Sequence, residues 1–328
     1  MSLHWLKAFG LAVAAVIACA TAQAQDFPSK PVTFITPAAA GNSPDVVTRI
    51  VADKLTALWK QQIVVVNRPG AGGLIAAQAA AASSIEKDGY TLYMTQASTF
   101  NVLPVMQGDK MPLDLHKAFV SVGMVGEQPI AVAVNKDVPA KSVKELIDLA
   151  NKSKDGMLFG ATNRGGQAHL TGELFRDRSK ANVSFVHAAG AAATLNDVIA
   201  GRIPIMFEGL AGLAPGLQGG GVRALAVAST KRLPNRPDLP AINETVPGVV
   251  SSGWIVLMAP RGVPDAIIQK LNADLRKVVA MKDVQERFHT LGTYTRDLTP
   301  VQTEEFIRSE EKLWWPIVSQ VNKAQGAK

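Results

Sequence analysis

The chain has 328 residues, one cysteine (Cys19) and a formal net charge of +7, from 34 basic and 27 acidic residues. A single cysteine excludes an internal disulfide and a zinc–thiolate cluster. The positive excess is spread thinly, without a basic patch interleaved with aromatic rings, which argues against a nucleic-acid partner.

Residues 1–24 carry Lys7, an apolar stretch over 8–20 and the small-residue pattern Ala22-Gln23-Ala24. This is expected to be a secretory signal peptide, giving an exported, soluble chain. Val16-Ile17-Ala18-Cys19 also fits a lipid-attachment pattern, but cleavage after Ala24 is preferred, because Gln25-Asp26-Phe27-Pro28 follows as the apparent start of the folded domain. No later stretch is apolar and long enough to cross a bilayer.

Residues 32–35 read as a buried strand that enters a loop of small residues, Pro37-Ala38-Ala39-Ala40-Gly41-Asn42. Ser43 is placed to cap a helix, Pro44 to occupy its first position and Asp45 to suit the dipole of its first turn. That helix is predicted over 45–59, with Val46, Val47, Ile50, Val51, Leu55 and Leu58 on one side. A loop without bulky side chains ahead of a helix N-terminus offers backbone N–H groups to an anion. After a strand at 63–66, Asn67-Arg68-Pro69-Gly70-Ala71-Gly72-Gly73 suggests a dinucleotide fingerprint. The position that should hold its third glycine is Ile75, so the glycines are expected to serve a tight turn beneath a helix.

Further strands are predicted at 91–94, 120–125, 130–134, 157–159, 183–186, 204–207, 224–227 and 254–258. Helices are predicted from the capping box at Ser142-Val143-Lys144-Glu145 to Asn151, over 167–178, over 264–279, and from Thr299-Pro300 to about Val321. Trp314 and Trp315 are expected to pack the last helix on the core. The alternation implies an α/β fold with mainly parallel sheets covered on both faces. One unit occurs twice in outline: a strand, a glycine-rich loop (Gly160-Ala161-Thr162-Asn163-Arg164-Gly165-Gly166) and a helix mirror the first strand, loop and helix. Two such lobes would grip a ligand at the carboxyl ends of their strands.

His4, His116, His169, His187 and His289 have no metal-ligand spacing, and neither a phosphate loop nor a nucleophile elbow is present. No cofactor and no metal are expected. His169 and Glu173 stand one helical turn apart. A structural role for His169, holding the glycine loop before it, is preferred over a site.

Taken in order, several segments resemble the substrate-binding proteins of tripartite tricarboxylate transporters, the TctC or Bug family. They are Phe27-Pro28-Ser29-Lys30-Pro31, residues 37–49, Asn67 to Gly73, Asp88-Gly89-Tyr90-Thr91-Leu92, residues 159–175, residues 190–201, Val222-Arg223-Ala224-Leu225-Ala226, Gly253-Trp254 with Ala259-Pro260, and residues 306–314. The resemblance implies a two-lobed periplasmic binding fold of type II character that closes on a small organic anion and delivers it to a membrane permease without catalysis. Asp45, Gly165, His169 and Gly190 match the family pattern. Asn42 stands where a second glycine is usual, and Asn163, Arg164, Gly166 and Gln167 replace small or hydroxyl residues. His187-Ala188-Ala189-Gly190 replaces a Pro-Tyr-Lys-Gly-like turn. The missing ring at Ala188 suggests room for a bulkier, less polar acid.

The sequence therefore leads to these expectations. Residues 25–126 with 253–328 form one lobe and 127–252 the other, joined by a hinge. Backbone N–H groups of Ala39, Ala40, Gly41, Asn42 and Ser43, and of Asn163, Arg164, Gly165 and Gly166, hold the carboxylates. Thr95, Ser98, Thr99 and Thr162 assist, and Asp45, His169, Ala188, Gly190 and Glu208 complete the site. The partners are a small carboxylate and the transporter's membrane subunits, and the chain is expected to act as a monomer. An exported hydrolase or lyase, or a sensory binding protein, are the alternatives.

Overall fold

A computed structural model describes residues 27–83, 86–161, 166–187, 190–233 and 235–326. The strands are β1 (Val32–Thr36), β2 (Ile63–Asn67), β3 (Thr91–Gln96), β4 (Phe119–Asn135), β5 (Met157–Ala161), β6 (Val183–His187), β7 (Ile205–Gly209), β8 (Val222–Val227) and β9 (Ser252–Pro260). The helices are α1 (Ser43–Trp59), α2 (Leu74–Ala82), α3 (Ala97–Asn101), α4 (Leu103–Gln107), α5 (Leu115–Ala118), α6 (Val143–Lys152), α7 (Gln167–Ser179), α8 (Ala191–Ile199), α9 (Leu210–Gln218), α10 (Asp265–Val279), α11 (Lys282–Thr290) and α12 (Pro300–Gly326). The predicted signal peptide lies outside the described residues.

The strands follow the order β2-β1-β3-β9-β4-β7-β5-β6, with β8 also paired to β4. Parallel pairing holds at the outer strands, β1 with β2 and β3, and β5 with β6 and β7. The central strands β9 and β4 pair antiparallel with their neighbours, so the sheet is mixed. Connections through helices generate the parallel pairs, whereas β9 is entered from β8 without an α-helix between them.

β4 is the element the sequence divides wrongly. Two strands, 120–125 and 130–134, are predicted, with a gap between them. The structure has one strand of 17 residues, paired with β9 from Phe119 through Pro129 and with β7 and β8 beyond. Two register shifts against β9 absorb its curvature.

Each half of the sheet is covered on both faces. Val32, Phe34 and Leu257 pack with Val47, Ile50 and Leu55 of α1 and with Leu271 and Leu275 of α10. Ile35, Tyr93 and Met258 point the other way, against Ala76 and Ala80 of α2 and Phe100 of α3. In the other half Val132 and Val134 meet Leu170 and Leu174 of α7, while Ala131 and Ala133 meet Leu195 of α8 and Leu213 of α9. The alternation of β4 between these two clusters is the period-two pattern of a strand buried on both sides.

The C-terminal helix joins both halves. Ile307 belongs to the first half's core, and Trp314 and Val318 to the second's. Trp314 is buried, as expected. Trp315 is 37% exposed and donates its indole N–H to the Phe100 carbonyl at 3.0 Å.

Candidate functional site

Strand direction locates the site. β1, β2 and β3 run parallel, and β3 and β4 both pair antiparallel to β9, so β1–β3 share the direction of β4. Their carboxyl ends therefore point towards the second half. β5, β6 and β7 run parallel to one another and antiparallel to β4, so their carboxyl ends point back. The two sets of loops and helix starts face each other across the middle of β4, the place where open α/β sheets collect ligands.

On the second side, α7, α8 and α9 begin on Gly166, Gly190 and Gly209, and none has a side-chain cap. The first N–H groups of a helix have no intrahelical partner, and each helix presents the positive end of its dipole. Gly190 has φ +120°, and a Cβ added there would meet nothing within 4 Å. Gly190→Ala is accordingly expected to cost about 1–2 kcal/mol through backbone strain alone. Urea unfolding checks this figure.

The first side is built differently. Asn42, and not Ser43, is the N-cap of α1: its side chain accepts from Asp45 N at 3.1 Å. Both residues can cap, and Pro44 is tolerated one position further in than predicted. Asp45, 2% exposed, accepts from Gly41 N at 2.8 Å, Arg49 Nε at 3.0 Å and Asn67 Nδ2 at 2.8 Å. Burial opposes its charge, but these donors outweigh it and hold the carboxyl below its usual range. With both its oxygens engaged, Asp45 supports the loop from beneath. Of the expected loop donors, Gly41 N is used by Asp45 and Asn42 N by the Ala39 carbonyl. Ala39, Ala40 and Ser43 keep backbone N–H groups without an internal partner among the described residues.

Thr95 and Thr99 also differ from expectation, for both are fully buried. Thr99 Oγ1 lies 3.5 Å from the Gly72 carbonyl, and both hydroxyls face Tyr93, whose phenol is pushed up to about 12 by burial. Among the described residues, Thr95 Oγ1 and the Tyr93 hydroxyl are buried without a hydrogen-bond partner. Ser98 is half-buried and accepts from Gln96 Nε2 at 3.2 Å. The turn at Gly70–Gly73 leads into α2 as predicted. Gly73, at φ +102°, leaves no room for a Cβ beside Thr99 and Pro37, which seats this turn against the first loop.

His169 is buried against Phe185 and His187, with ring centroids at 5.1 and 4.8 Å, and its Nε2 lies 3.4 Å from Glu173 Oε1. Glu208 is half-buried at the end of β7 and accepts from Gly209 N at 2.9 Å. Thr162, Asn163, Arg164, Gly165 and Ala188 lie outside the described residues. Among the described residues no cluster of His, Cys, Asp and Glu could hold a metal, and no helix is long and apolar enough to cross a membrane. Two surface cavities, of about 570 and 530 Å³, lie elsewhere, beside α10–α11 and beside α5 and α12.

Two residues at the floor of the cleft escape sequence reasoning. Gln128 of β4 donates through Nε2 to Ser43 Oγ at 2.5 Å and Thr293 Oγ1 at 3.0 Å. Ser251, just before β9, accepts from Gln167 Nε2 at 2.8 Å and shares a 2.6 Å hydrogen bond with Thr171 Oγ1. Single polar residues in crossing segments carry no motif; only the pairing of β4 with β9 brings them together.

Opposed strand ends, glycine-capped helices and a shared central strand define a two-lobed α/β binding protein of the periplasmic type. The profile described as "Tripartite tricarboxylate transporter family receptor" matches residues 47–323, and the chain belongs to this TctC family. Protein BugT of Bordetella pertussis is 31% identical over 314 residues, covering 95% of this chain and 96% of its own. Among solved structures, R. palustris Rpa4515 with adipate has a TM-score of 0.82 at 28% identity, covering 91% of this chain and 99% of the other. MatC from Rhodopseudomonas palustris with bound malate has a TM-score of 0.77 at 27% identity, covering 89% and 100%. The family and these two structures are of substrate-binding proteins.

Proposed function

We propose that this chain is a periplasmic solute-binding protein that captures a small organic carboxylate between its lobes and hands it to the membrane subunits of a tripartite transporter, without turning it over. The observation that carries this reading is the three glycine-capped helix starts facing the α1 loop. A carboxylate placed there satisfies donors that otherwise depend on water, in a field of helix dipoles. One lobe comprises about residues 25–126 and the start of 253–328, the other about 127–252, with α12 lying along both. Ala39, Ala40, Ser43 and Gly166 supply backbone donors, Arg164 a charge-assisted contact, and Asp45, Thr95 and Thr99 positioning beneath the loops. The signal peptide ahead of residue 25 gives the export such a role requires.

Adipate and malate, the acids in the two neighbouring structures, are both dicarboxylates, which supports a ligand with an anionic group for each side of the cleft. Alanines at positions 188 and 191 of the sequence, where the family commonly has a ring at 188, favour an acid whose middle section is longer or apolar. A thermal-shift panel of adipate, malate, succinate, citrate and aromatic carboxylates tests the assignment. The true ligand at ten times its Kd stabilises the protein by about 1.4 kcal/mol, and the shift grows with concentration. A panel in which no carboxylate raises Tm would overturn the reading; a response confined to succinate and malate would refute the enlarged pocket.

A further inference from the structure

The two ligand-facing sides are tied to the same short stretch of the crossing strands. Gln128 pairs with Gly253 across β4 and β9, and Pro129 with Ser252, and Ile130 N donates to the Ser251 carbonyl at 3.3 Å. Gln128 and Ser251 are therefore near neighbours on adjacent strands. Both are buried, at 7% and 2% exposure, where a polar side chain is retained only if its hydrogen bonds matter. Each reaches into one half. Gln128 holds Ser43 in the first turn of α1. Ser251 holds Gln167, the first residue of α7, and Thr171 one turn later. Among the described residues Gln167 Oε1 is buried without a partner, and Ser251 is the one group bonded to that amide.

We propose that Gln128 and Ser251 are positioning residues that couple the helix starts on the two sides of the cleft to the hinge. This rests on the reading of the site as a cleft that closes on its ligand. When β4 and β9 flex, α1 and α7 cannot turn independently of the strands, because each is pinned at its ligand-facing end. The two bonded sets act as a paired latch that keeps the opposed donors aligned. Closing brings them onto the ligand as a unit, and opening withdraws them together. An inserted residue or a weak anchor at either point would let one helix start swing while the hinge stays still.

Double electron–electron resonance tests the coupling without needing the ligand. Spin labels go on Ala57→Cys in α1 and Lys152→Cys in α6, both exposed, with the sole cysteine changed by Cys19→Ser. Ser251→Ala, Gln128→Leu and Gln167→Leu are compared with the parent chain. Gln167→Leu leaves Ser251 in place and is the variant least able to disturb folding. The expected result is a broader interlobe distance distribution in each variant without ligand, incompletely narrowed by saturating adipate, and an adipate off-rate that rises without a matching fall in on-rate. Parent-like distributions in all folded variants, even with lowered Tm, would reduce the latch to ordinary packing. If neither adipate nor the wider carboxylate panel narrows the parent's distribution, the closing-cleft reading fails instead, while the ligand-free distributions still decide the latch.

Discussion

His116→Leu lowers the unfolding free energy by about 3 kcal/mol at pH 6, and by clearly less at pH 10. His116 on α5 stands between two carboxylates of α12, with Nδ1 at 2.9 Å from Glu304 and Nε2 at 2.6 Å from Glu311. Ser121 of β4 donates to the other Glu304 oxygen at 2.9 Å, and Arg308 Nε lies 3.0 Å from Glu304. Burial works against the imidazolium, but the two carboxylates outweigh it and raise His116 from 6.5 to about 9. Glu304 is held down at about 2, chiefly by the His116 bond and against its own burial. Leucine fills the space but leaves Glu311, 5% exposed, without the imidazolium, its remaining ion pair among the described residues being Arg308 Nη1 at 3.8 Å. Breaking a buried pair on one side costs about 3–5 kcal/mol; the lower end applies because Glu304 is one-third exposed.

The pH dependence follows from the two directions. A raised histidine contributes in full below its unfolded value of 6.5, and the contribution fades as pH rises through about 9. A depressed glutamate contributes above its unfolded value of 4.5 and fades as pH falls towards about 2. The cluster is therefore fully effective between about pH 4.5 and 6.5. Urea unfolding of both proteins at pH 6 and pH 10 checks the sign. Equal costs at the two pH values would mean that His116 contributes packing and not charge. The consequence reaches beyond stability, because α12 also carries Trp314 into the second core.

Much of this architecture is legible in the chain because its signals are local. Alternating apolar runs and the Pro44-Asp45 pair mark β1 and α1, and at the predicted start of the last helix Thr299 N donates to Gln302 Oε1 at 3.0 Å and Gln302 N to Thr299 Oγ1 at 3.2 Å. The small-residue loop after β1 is read correctly as the lead into α1. What fails is non-local. The gap left between the strands predicted at 120–125 and 130–134 is closed by pairing with β9, which makes Glu127, Gln128 and Pro129 the middle of one strand. Hydroxyl residues near a predicted cleft look like ligand contacts, but the direction of a side chain at a strand end depends on the packing behind it. Thr95 and Thr99 face Tyr93 for that reason. Gln128 and Ser251 gain meaning only once two distant segments lie side by side.

Asp45→Ala is expected to cost about 2–3 kcal/mol of stability and to weaken carboxylate binding by tenfold or more. Its carboxylate accepts charge-assisted hydrogen bonds from a backbone amide, a guanidinium and an amide side chain, all within 3.0 Å. Bonds to charged groups contribute about 1.5–3 kcal/mol each when buried. The sum is discounted here because Arg49 is 46% exposed and Gly41 lies at the surface, so both recover water when the carboxylate goes. Asn67 also donates to the Ala38 carbonyl at 2.9 Å, so it transmits the loss to the loop itself. Freed from Asp45, Gly41 no longer fixes the turn that carries the proposed donors, the N–H groups of Ala39, Ala40 and Ser43. Alignment of donors is lost even though no donor is removed, and the binding effect should therefore exceed what the stability change alone would give. Because the folded Asp45 carboxyl lies below its usual range, its contribution is present above about pH 4 and disappears as pH falls further. The wild-type and variant stabilities should therefore converge in acid. Calorimetry with the acid selected by the thermal-shift panel, together with urea unfolding from pH 7 to pH 3, measures both effects. A variant that binds normally would show that the Ala39–Ser43 loop holds its shape without Asp45 and would move the anion's main donors to α7, α8 and α9.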